Sequence, residues 1–143
     1  MTSAIPDDPR RATKLVMCVD DSALIRGLIV RAVAQAGYRT ATCASGAECL
    51  AQLRTTEPDI VLLDVDMPEM SGFDTLEEIR KRDTKLAARV IMLTASRTKV
   101  AVDEARLLGA DDYIIKTMDP ARLIERIDFW AGLKTFGQLE KGE

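Results

Sequence analysis

The chain of 143 residues has the length of one ordinary domain and can bury roughly two-thirds of the surface that its unfolded form exposes. Its composition, with 47% hydrophobic and 30% charged residues, excludes a disordered chain, a collagen-like rod and a coiled coil. A net charge of -3 gives no general attraction for nucleic acid or anionic membranes. Cys18, Cys43 and Cys49 lack CxxC spacing and any histidine partner, which indicates reduced core thiols.

Both ends of the chain lack the periodicity of helices and strands. We predict a flexible N-terminal tail over residues 1–13, a single domain over 14–133 and a C-terminal tail over 134–143. No signal-peptide pattern is present, and no apolar stretch approaches the roughly 20 residues that span a bilayer. These features predict a cytoplasmic protein without a membrane partner.

Five short apolar segments alternate with longer segments of helical period. The predicted strands are Leu15 to Val19, Tyr38 to Cys43, Asp59 to Leu63, Arg89 to Leu93 and Asp112 to Ile115. Most of them are apolar throughout, which is typical of a parallel sheet that is covered on both faces. With right-handed crossovers, the pattern predicts a single α/β domain whose doubly wound five-stranded sheet has the flavodoxin-like order 2-1-3-4-5.

The intervening segments carry apolar residues at helical spacing, and each of these stripes is predicted to pack on the sheet. The stripes are Leu24, Leu28, Ile29 and Val33, then Phe73, Leu76 and Ile79, then Val100, Ala101 and Glu104 to Leu108, and finally Leu123, Ile124 and Ile127. Ser45 with Glu48 indicates a capping box at the start of the second helix. Gly37 and Gly109 are predicted as left-handed caps, and Asp119 as an N-cap before proline.

Polar residues stand at the carboxyl ends of four predicted strands. Asp20 and Asp21 follow the first strand, Asp64 the third, Thr94 the fourth and Lys116 the fifth. In an open parallel sheet, ligands bind outside these ends at the topological switch point, which for this order lies between the first and third strands. We therefore expect these side chains to converge.

Three converging carboxylates repel one another, so their arrangement calls for a compensating cation. Mg²⁺ prefers oxygen ligands and typically takes one or two carboxylates together with phosphate oxygens of the substrate. With such a cation screening the charge, Asp64 can attack a phosphorus atom and form an aspartyl phosphate. Lys116 can supply a positive charge to the phosphoryl oxygens, and Thr94 a hydroxyl donor.

The segments VMCVDDS, IVLLDVDMPEMSG, VIMLTAS and DYIIK resemble the sequence blocks of response-regulator receiver domains, over about Lys14 to Leu133. The resemblance implies a stand-alone, chemotaxis-type receiver of two-component signal transduction, with Asp64 as the phosphoacceptor. It also implies that Asp20, Asp21 and Asp64 bind Mg²⁺ together with the backbone carbonyl of Asp66. Thr94 and Lys116 are implied to contact the phosphoryl group.

A switch and its partners also follow from the resemblance. Thr94 is implied to move toward the phosphate while Tyr113 turns inward to fill the vacated space. The phosphoryl donor would be a sensor histidine kinase or a histidine phosphotransfer protein, and the signal would pass to an unknown downstream protein. We expect no DNA-binding segment after the receiver and no enzymatic turnover beyond self-phosphorylation and autodephosphorylation.

One position departs from the receiver pattern. Receivers usually follow the lysine with a proline in a cis peptide bond, whereas Thr117 follows Lys116 here. A cis bond before a residue other than proline costs about 2.5 to 4 kcal/mol. We therefore predict a trans bond and a shifted loop.

Two alternative functions remain open from the sequence. Asp64-Val65-Asp66 resembles the DxD motif of haloacid-dehalogenase-type phosphatases, in which the second aspartate is a general acid and base. This alternative explains neither Asp20 and Asp21 nor the MPEMSG segment. The second alternative is a pseudo-receiver that binds partners without phosphorylation. Thr117 suggests it, and the intact acidic set argues against it.

Overall fold

Across the residues that the computed structural model describes, 5–82, 88–95, 98–116 and 119–134, five strands and five α-helices alternate. The strands are β1 (Leu15–Val19), β2 (Arg39–Cys43), β3 (Ile60–Asp64), β4 (Arg89–Thr94) and β5 (Asp112–Ile115). The helices are α1 (Ala23–Gln35), α2 (Gly46–Gln52), α3 (Gly72–Arg82), α4 (Lys99–Leu107) and α5 (Pro120–Trp130). A 3₁₀ helix, Pro9–Thr13, precedes β1.

The strands form one parallel sheet in the order β2-β1-β3-β4-β5. This confirms the predicted doubly wound α/β fold and its flavodoxin-like strand order. All residues of β3, the central strand, are buried. Its fully apolar character is therefore explained by helices on both faces of the sheet.

The core has two layers, one on each face of the sheet. On one face, residues of α2, α3 and α4 such as Leu50, Leu76 and Ala105 pack with the inward side chains of the strands. On the other face, Val33 of α1 and Ile124 of α5 do the same. Successive residues of a strand place their side chains in opposite layers, because side chains alternate across a sheet.

The predicted apolar stripes of α1 and α4 are partly wrong. In α1, Val33 is buried with Ile29 packed beside it, but Leu24 and Leu28 are 72% and 56% exposed. Ile29 and Val33 share a helix face at i,i+4 spacing, and Leu24 and Leu28 form a row one residue earlier, turned toward solvent. Of the stripe in α4, Ala105 is buried, whereas the apolar side chains of Val100 and Leu107 are exposed.

The residues that we predicted to cap the helices do so in the structure. The Ser45 hydroxyl oxygen accepts from the Glu48 N–H, and the Glu48 carboxylate accepts from the backbone N–H of Ala44. Gly37 and Gly109 have φ of 109° and 102°, the left-handed conformation expected just beyond a helix. The Asp119 side chain caps α5 as predicted.

The prediction of an irregular, flexible tail over residues 1–13 is wrong for Pro9–Thr13, which forms a helix packed on the domain. Arg11 within it is 2% exposed and donates to both carboxylate oxygens of Asp128 in α5, at 3.0 and 2.8 Å. The Tyr38 hydroxyl donates to the same carboxylate. A buried charge needs a paired partner, and here that partner lies 117 positions away in the sequence.

The three cysteines are free and buried, which confirms the prediction of reduced core thiols. Among the helices that the structure describes, none combines the length and the apolar character needed to cross a bilayer. Of the predicted C-terminal tail, only Lys134 lies within the described residues.

Candidate functional site

The acidic residues converge because β1 and β3 are neighbours. Val19 pairs with Leu63, so Asp20 and Asp64 leave the sheet side by side. Both are buried, at 1% and 2% exposure, whereas Asp21 is exposed. One carboxylate oxygen from each of Asp20, Asp21 and Asp64 lies within 4.8 Å of the others. The structure therefore brings the predicted acidic set together.

Lys116 completes this group from the end of β5. Its Nζ lies 2.8 Å from Asp64 Oδ1 and 3.0 Å from Asp20 Oδ2. Burial opposes the lysine charge, but the interactions with the Asp64 and Asp20 carboxylates together outweigh this effect and raise the pKa of Lys116. The lysine therefore remains a cation between two carboxylates.

Thr94 is fixed beside Lys116 through the main chain. The Lys116 N–H donates to the Thr94 carbonyl at 2.7 Å, and Thr94 is buried at the end of β4. The predicted switch residue, Tyr113, is buried in the core layer that faces α4. The predicted trans bond between Lys116 and Thr117 involves a residue outside the described ranges.

The Asp64 carboxyl lies in an environment that disfavours its charge. Burial raises its pKa to about 6, the nearby Asp20 adds to this effect, and the hydrogen bond from Lys116 opposes it. The N–H of Asp66 donates to Asp64 Oδ1 at 3.2 Å and stabilises the anion further. One lysine and one peptide N–H thus compensate the buried charge only in part.

The residues present fit a hard divalent cation. Asp20 Oδ2 is buried and accepts no hydrogen bond of acceptable geometry, even though Lys116 Nζ lies 3.0 Å away. Asp20 belongs to a group of three carboxylates without soft ligands, and oxygen donors of this kind suit Mg²⁺. The acidic group can therefore hold a metal ion.

The loop from β3 to α3 folds back tightly beside Asp64. The Gly72 N–H donates to the Val65 carbonyl at 2.8 Å, and a Cβ at Gly72 would lie 2.2 Å from the Asp64 carbonyl oxygen. Only glycine fits this approach. In the same loop Glu69 has a positive φ of 67°. The predicted metal-ligand role of the Asp66 carbonyl stays a prediction.

The turn from β1 to α1 contains a contact that our sequence interpretation missed. Ser22 caps α1, and its N–H donates to Asp20 Oδ1 at 2.9 Å. Arg26 Nη1 donates to the Asp20 carbonyl at 2.6 Å. An arginine within a helix ordinarily indicates a solvated surface, and its spacing of six residues from Asp20 gave no signal of this contact.

Comparison with protein families matches residues 16–128 to the response regulator receiver domain. The chain belongs to this family. The chemotaxis protein CheY of Thermotoga maritima is 36% identical over 116 residues, which cover 80% of this chain and 95% of that protein. The probable transcriptional regulator ycf27 of Guillardia theta is 38% identical over 112 residues, and this chain spans only 43% of its length. Among solved structures, the chemotaxis protein CheY4 of Vibrio cholerae matches with a TM-score of 0.76 at 30% identity, covering 80% of this chain and 96% of CheY4.

Membership confirms the resemblance to receiver domains and places the chain in two-component signalling. Receiver domains of this type are switches rather than classical enzymes. The family match also accounts for Asp20, Asp21 and the MPEMSG segment, all within residues 16–128, which the phosphatase alternative left unexplained.

Proposed function

We propose that this receiver domain accepts a phosphoryl group on Asp64 from a histidine kinase or a histidine phosphotransfer protein. The observation that carries the proposal is the group formed by Asp20, Asp21, Asp64 and Lys116. One oxygen from each of its carboxylates lies within 4.8 Å of the others, and its lysine contacts Asp64 at 2.8 Å. A nucleophile, a cation-binding acidic pair and a fixed positive charge thus meet in one place.

Asp20, Asp21, Asp64 and the backbone carbonyl of Asp66 are the residues that we assign to Mg²⁺. When bound there, the ion would screen the negative charge that keeps a phosphoryl donor away from Asp64.

The residues of the chain then have distinct tasks. A carboxylate oxygen of Asp64 attacks phosphorus, and the P–N bond of the phosphohistidine breaks with its electron pair passing to the imidazole nitrogen. The product is an acyl phosphate on Asp64. Lys116, already 2.8 Å from the attacking carboxylate, balances the charge of the phosphoryl oxygens, and the Thr94 hydroxyl donates to another of them.

The output of this switch would be a changed protein-binding surface. Thr94 moves toward the phosphoryl group and Tyr113 follows it, as the family resemblance implies. Thr94 and Tyr113 lie on the adjacent strands β4 and β5, and Tyr113 pairs with Met92, two residues before Thr94, so both side chains leave the same face of the sheet. On this proposal the chain is a phosphoacceptor switch, and its downstream partner is a protein.

Incubation with acetyl phosphate and Mg²⁺, followed by intact mass measurement, tests the proposal. We expect one phosphoryl adduct on the unaltered protein, no adduct on Asp64→Asn and none when EDTA replaces Mg²⁺. An adduct that persists on Asp64→Asn would contradict the assignment. A protein that never forms an adduct, while it still binds partners, would be a pseudo-receiver.

Asp66→Asn separates the switch from the phosphatase alternative. A phosphatase would require Asp66 as its general acid and base, so this variant would abolish turnover of a small phosphate ester. The switch requires only the backbone of Asp66, and we expect Asp66→Asn to form the adduct with an altered lifetime.

A further inference from the structure

Arg26 connects the body of α1 to the end of β1. It lies in the second turn of the helix, partly buried, and its guanidinium points back toward the helix N-terminus, as helical side chains do. Its Nη1 donates to the main-chain carbonyl of Asp20 at 2.6 Å, and the charge on the guanidinium donor strengthens a short hydrogen bond of this kind.

This contact completes a set of hydrogen bonds that fixes Asp20. The Asp20 N–H donates to the Cys43 carbonyl at 3.1 Å, and Oδ1 accepts from the Ser22 N–H at 2.9 Å. With the carbonyl bound by Arg26, Oδ2 is the polar atom of Asp20 that lacks a hydrogen bond. It is also the atom nearest Lys116.

The Asp20 carbonyl belongs to the peptide bond that leads into Asp21. Its orientation therefore sets the direction in which the Asp21 side chain leaves the backbone. Asp21 is exposed, so its position beside Asp20 and Asp64 depends on its own backbone more than on packing.

We infer that Arg26 is a positioning residue of the metal site, which holds the peptide between Asp20 and Asp21 so that both carboxylates face Asp64. The inference rests on the proposed function, since it concerns the Mg²⁺ affinity of the same site. Partners of metal ligands typically change metal affinity by about 10- to 100-fold when they are removed.

Because Arg26 is positively charged, a pure charge effect and a positioning effect would change the Mg²⁺ affinity in opposite directions. A guanidinium beside the site repels a cation, so its removal would strengthen Mg²⁺ binding if charge were its only effect. Positioning predicts the opposite. We expect Arg26→Met, which keeps the aliphatic stem, to weaken Mg²⁺ binding by about tenfold.

Mg²⁺ affinity can be measured without any phosphoryl donor, from the dependence of Tm on the Mg²⁺ concentration. Arg31→Met, on the exposed side of the same helix, is the matched control and should leave the affinity unchanged. Arg26→Lys retains a cationic donor and should recover part of the loss. If Arg26→Met does not fold, the Lys variant still tests the inference, with a few-fold weaker affinity expected.

Adduct formation from acetyl phosphate gives a second readout. For Arg26→Met, we expect a higher Mg²⁺ concentration at half-maximal rate and a rate at saturating Mg²⁺ close to that of the unaltered protein. Unchanged or tighter Mg²⁺ binding in Arg26→Met and Arg26→Lys would overturn the inference alone. Absence of any Mg²⁺ effect in the unaltered protein would instead overturn the proposed function.

Discussion

Asp64 combines two properties that oppose each other, since it is buried and, on the proposed function, must carry a negative charge to act as a nucleophile. Burial raises its pKa to about 6, against an ordinary value of 3.8. In the metal-free protein, the charged carboxylate is therefore a local source of instability. Protonation of Asp64, binding of a cation beside it or substitution by a neutral residue removes this instability.

In EDTA, Asp64→Asn should unfold at a higher temperature than the unaltered protein at pH 7.5. Because the folded-state pKa is raised, the stability contributed by Asp64 is complete below pH 3.8 and is lost as the pH rises through about 6. The gain from Asn should thus be roughly 1 to 3 kcal/mol at pH 7.5 and should shrink between pH 6 and 4. Thermal unfolding across this pH range measures it, and a gain independent of pH would contradict the explanation.

Glu69 carries backbone strain in the loop that follows Asp64. Its φ of 67° is the left-handed conformation, which costs a residue with a Cβ about 1 to 2 kcal/mol and costs glycine little. We expect Glu69→Gly to raise the free energy of unfolding by about 1 kcal/mol, measured by urea titration. Glu57→Gly, at an exposed position with a negative φ, should lower it.

At the level of residues, the sequence allowed the acidic group and Lys116 to be predicted because each follows a recognisable strand. Arg26 could not be predicted in this way. Its contact depends on the side-chain direction within α1 and on the turn geometry before it, and neither is expressed in the spacing of residue types.

Among the secondary-structure elements, α3 begins at a position where neighbouring backbone atoms leave no room for a side chain. Gly72→Ala would place a methyl group 2.2 Å from the Asp64 carbonyl oxygen, which the backbone can relieve only by moving. We expect a loss of about 3 kcal/mol in the free energy of unfolding, together with a weaker Mg²⁺ response. Urea titration with and without Mg²⁺ measures both effects.

Gly27→Ala is the control for this substitution. Gly27 lies within α1, and an added Cβ would meet nothing within 4 Å. Alanine should therefore stabilise the protein by roughly 0.5 to 1 kcal/mol through helix propensity. Equal effects of alanine at Gly72 and Gly27 would show that steric contact with Asp64 is not the cause.

The strands were more predictable than the helix faces. All five predicted strands coincide with observed ones to within one residue at each end. The inner strands β1, β3 and β4 are almost fully buried, and their continuous apolar character made them easy to predict. In α1 the apolar residues exceed the number that the sheet can cover. Periodicity alone could not show that Leu24 and Leu28 are the surplus.

At the scale of the whole molecule, the buried pair of Arg11 and Asp128 joins the start of the domain to α5. Removal of one partner leaves an uncompensated buried charge, which typically costs about 3 to 5 kcal/mol. We expect a loss of this size for Arg11→Met, measured by urea titration. Arg10→Met removes an exposed ion pair with Asp8 and should change the free energy of unfolding far less than Arg11→Met does.

Replacement of both Arg11 and Asp128 should lower the free energy of unfolding less than replacement of Arg11 alone. Arg11→Met combined with Asp128→Leu leaves no buried ion and should recover part of the stability. The Tyr38 hydroxyl, which donates to Asp128, limits this recovery because it loses its acceptor. Additive losses in the double variant would contradict a direct coupling between Arg11 and Asp128.

The domain order and sheet topology were predictable because alternation and handedness leave few arrangements for five strands. The contribution of Pro9–Thr13 was not predictable, because local composition resembles a tail and the partner of Arg11 lies at the other end of the chain. Long-range ion pairs of this kind are specified only once the fold has formed.

Lys116 places a cation of the protein's own between Asp20 and Asp64. The acidic centre therefore has an internal counter-ion, and we expect it to fold without metal, unlike small domains whose structure forms only around a bound ion. A metal ion could then bind to the site and leave it while the domain stays folded. A signal that depends on this centre can therefore be reset without unfolding of the domain.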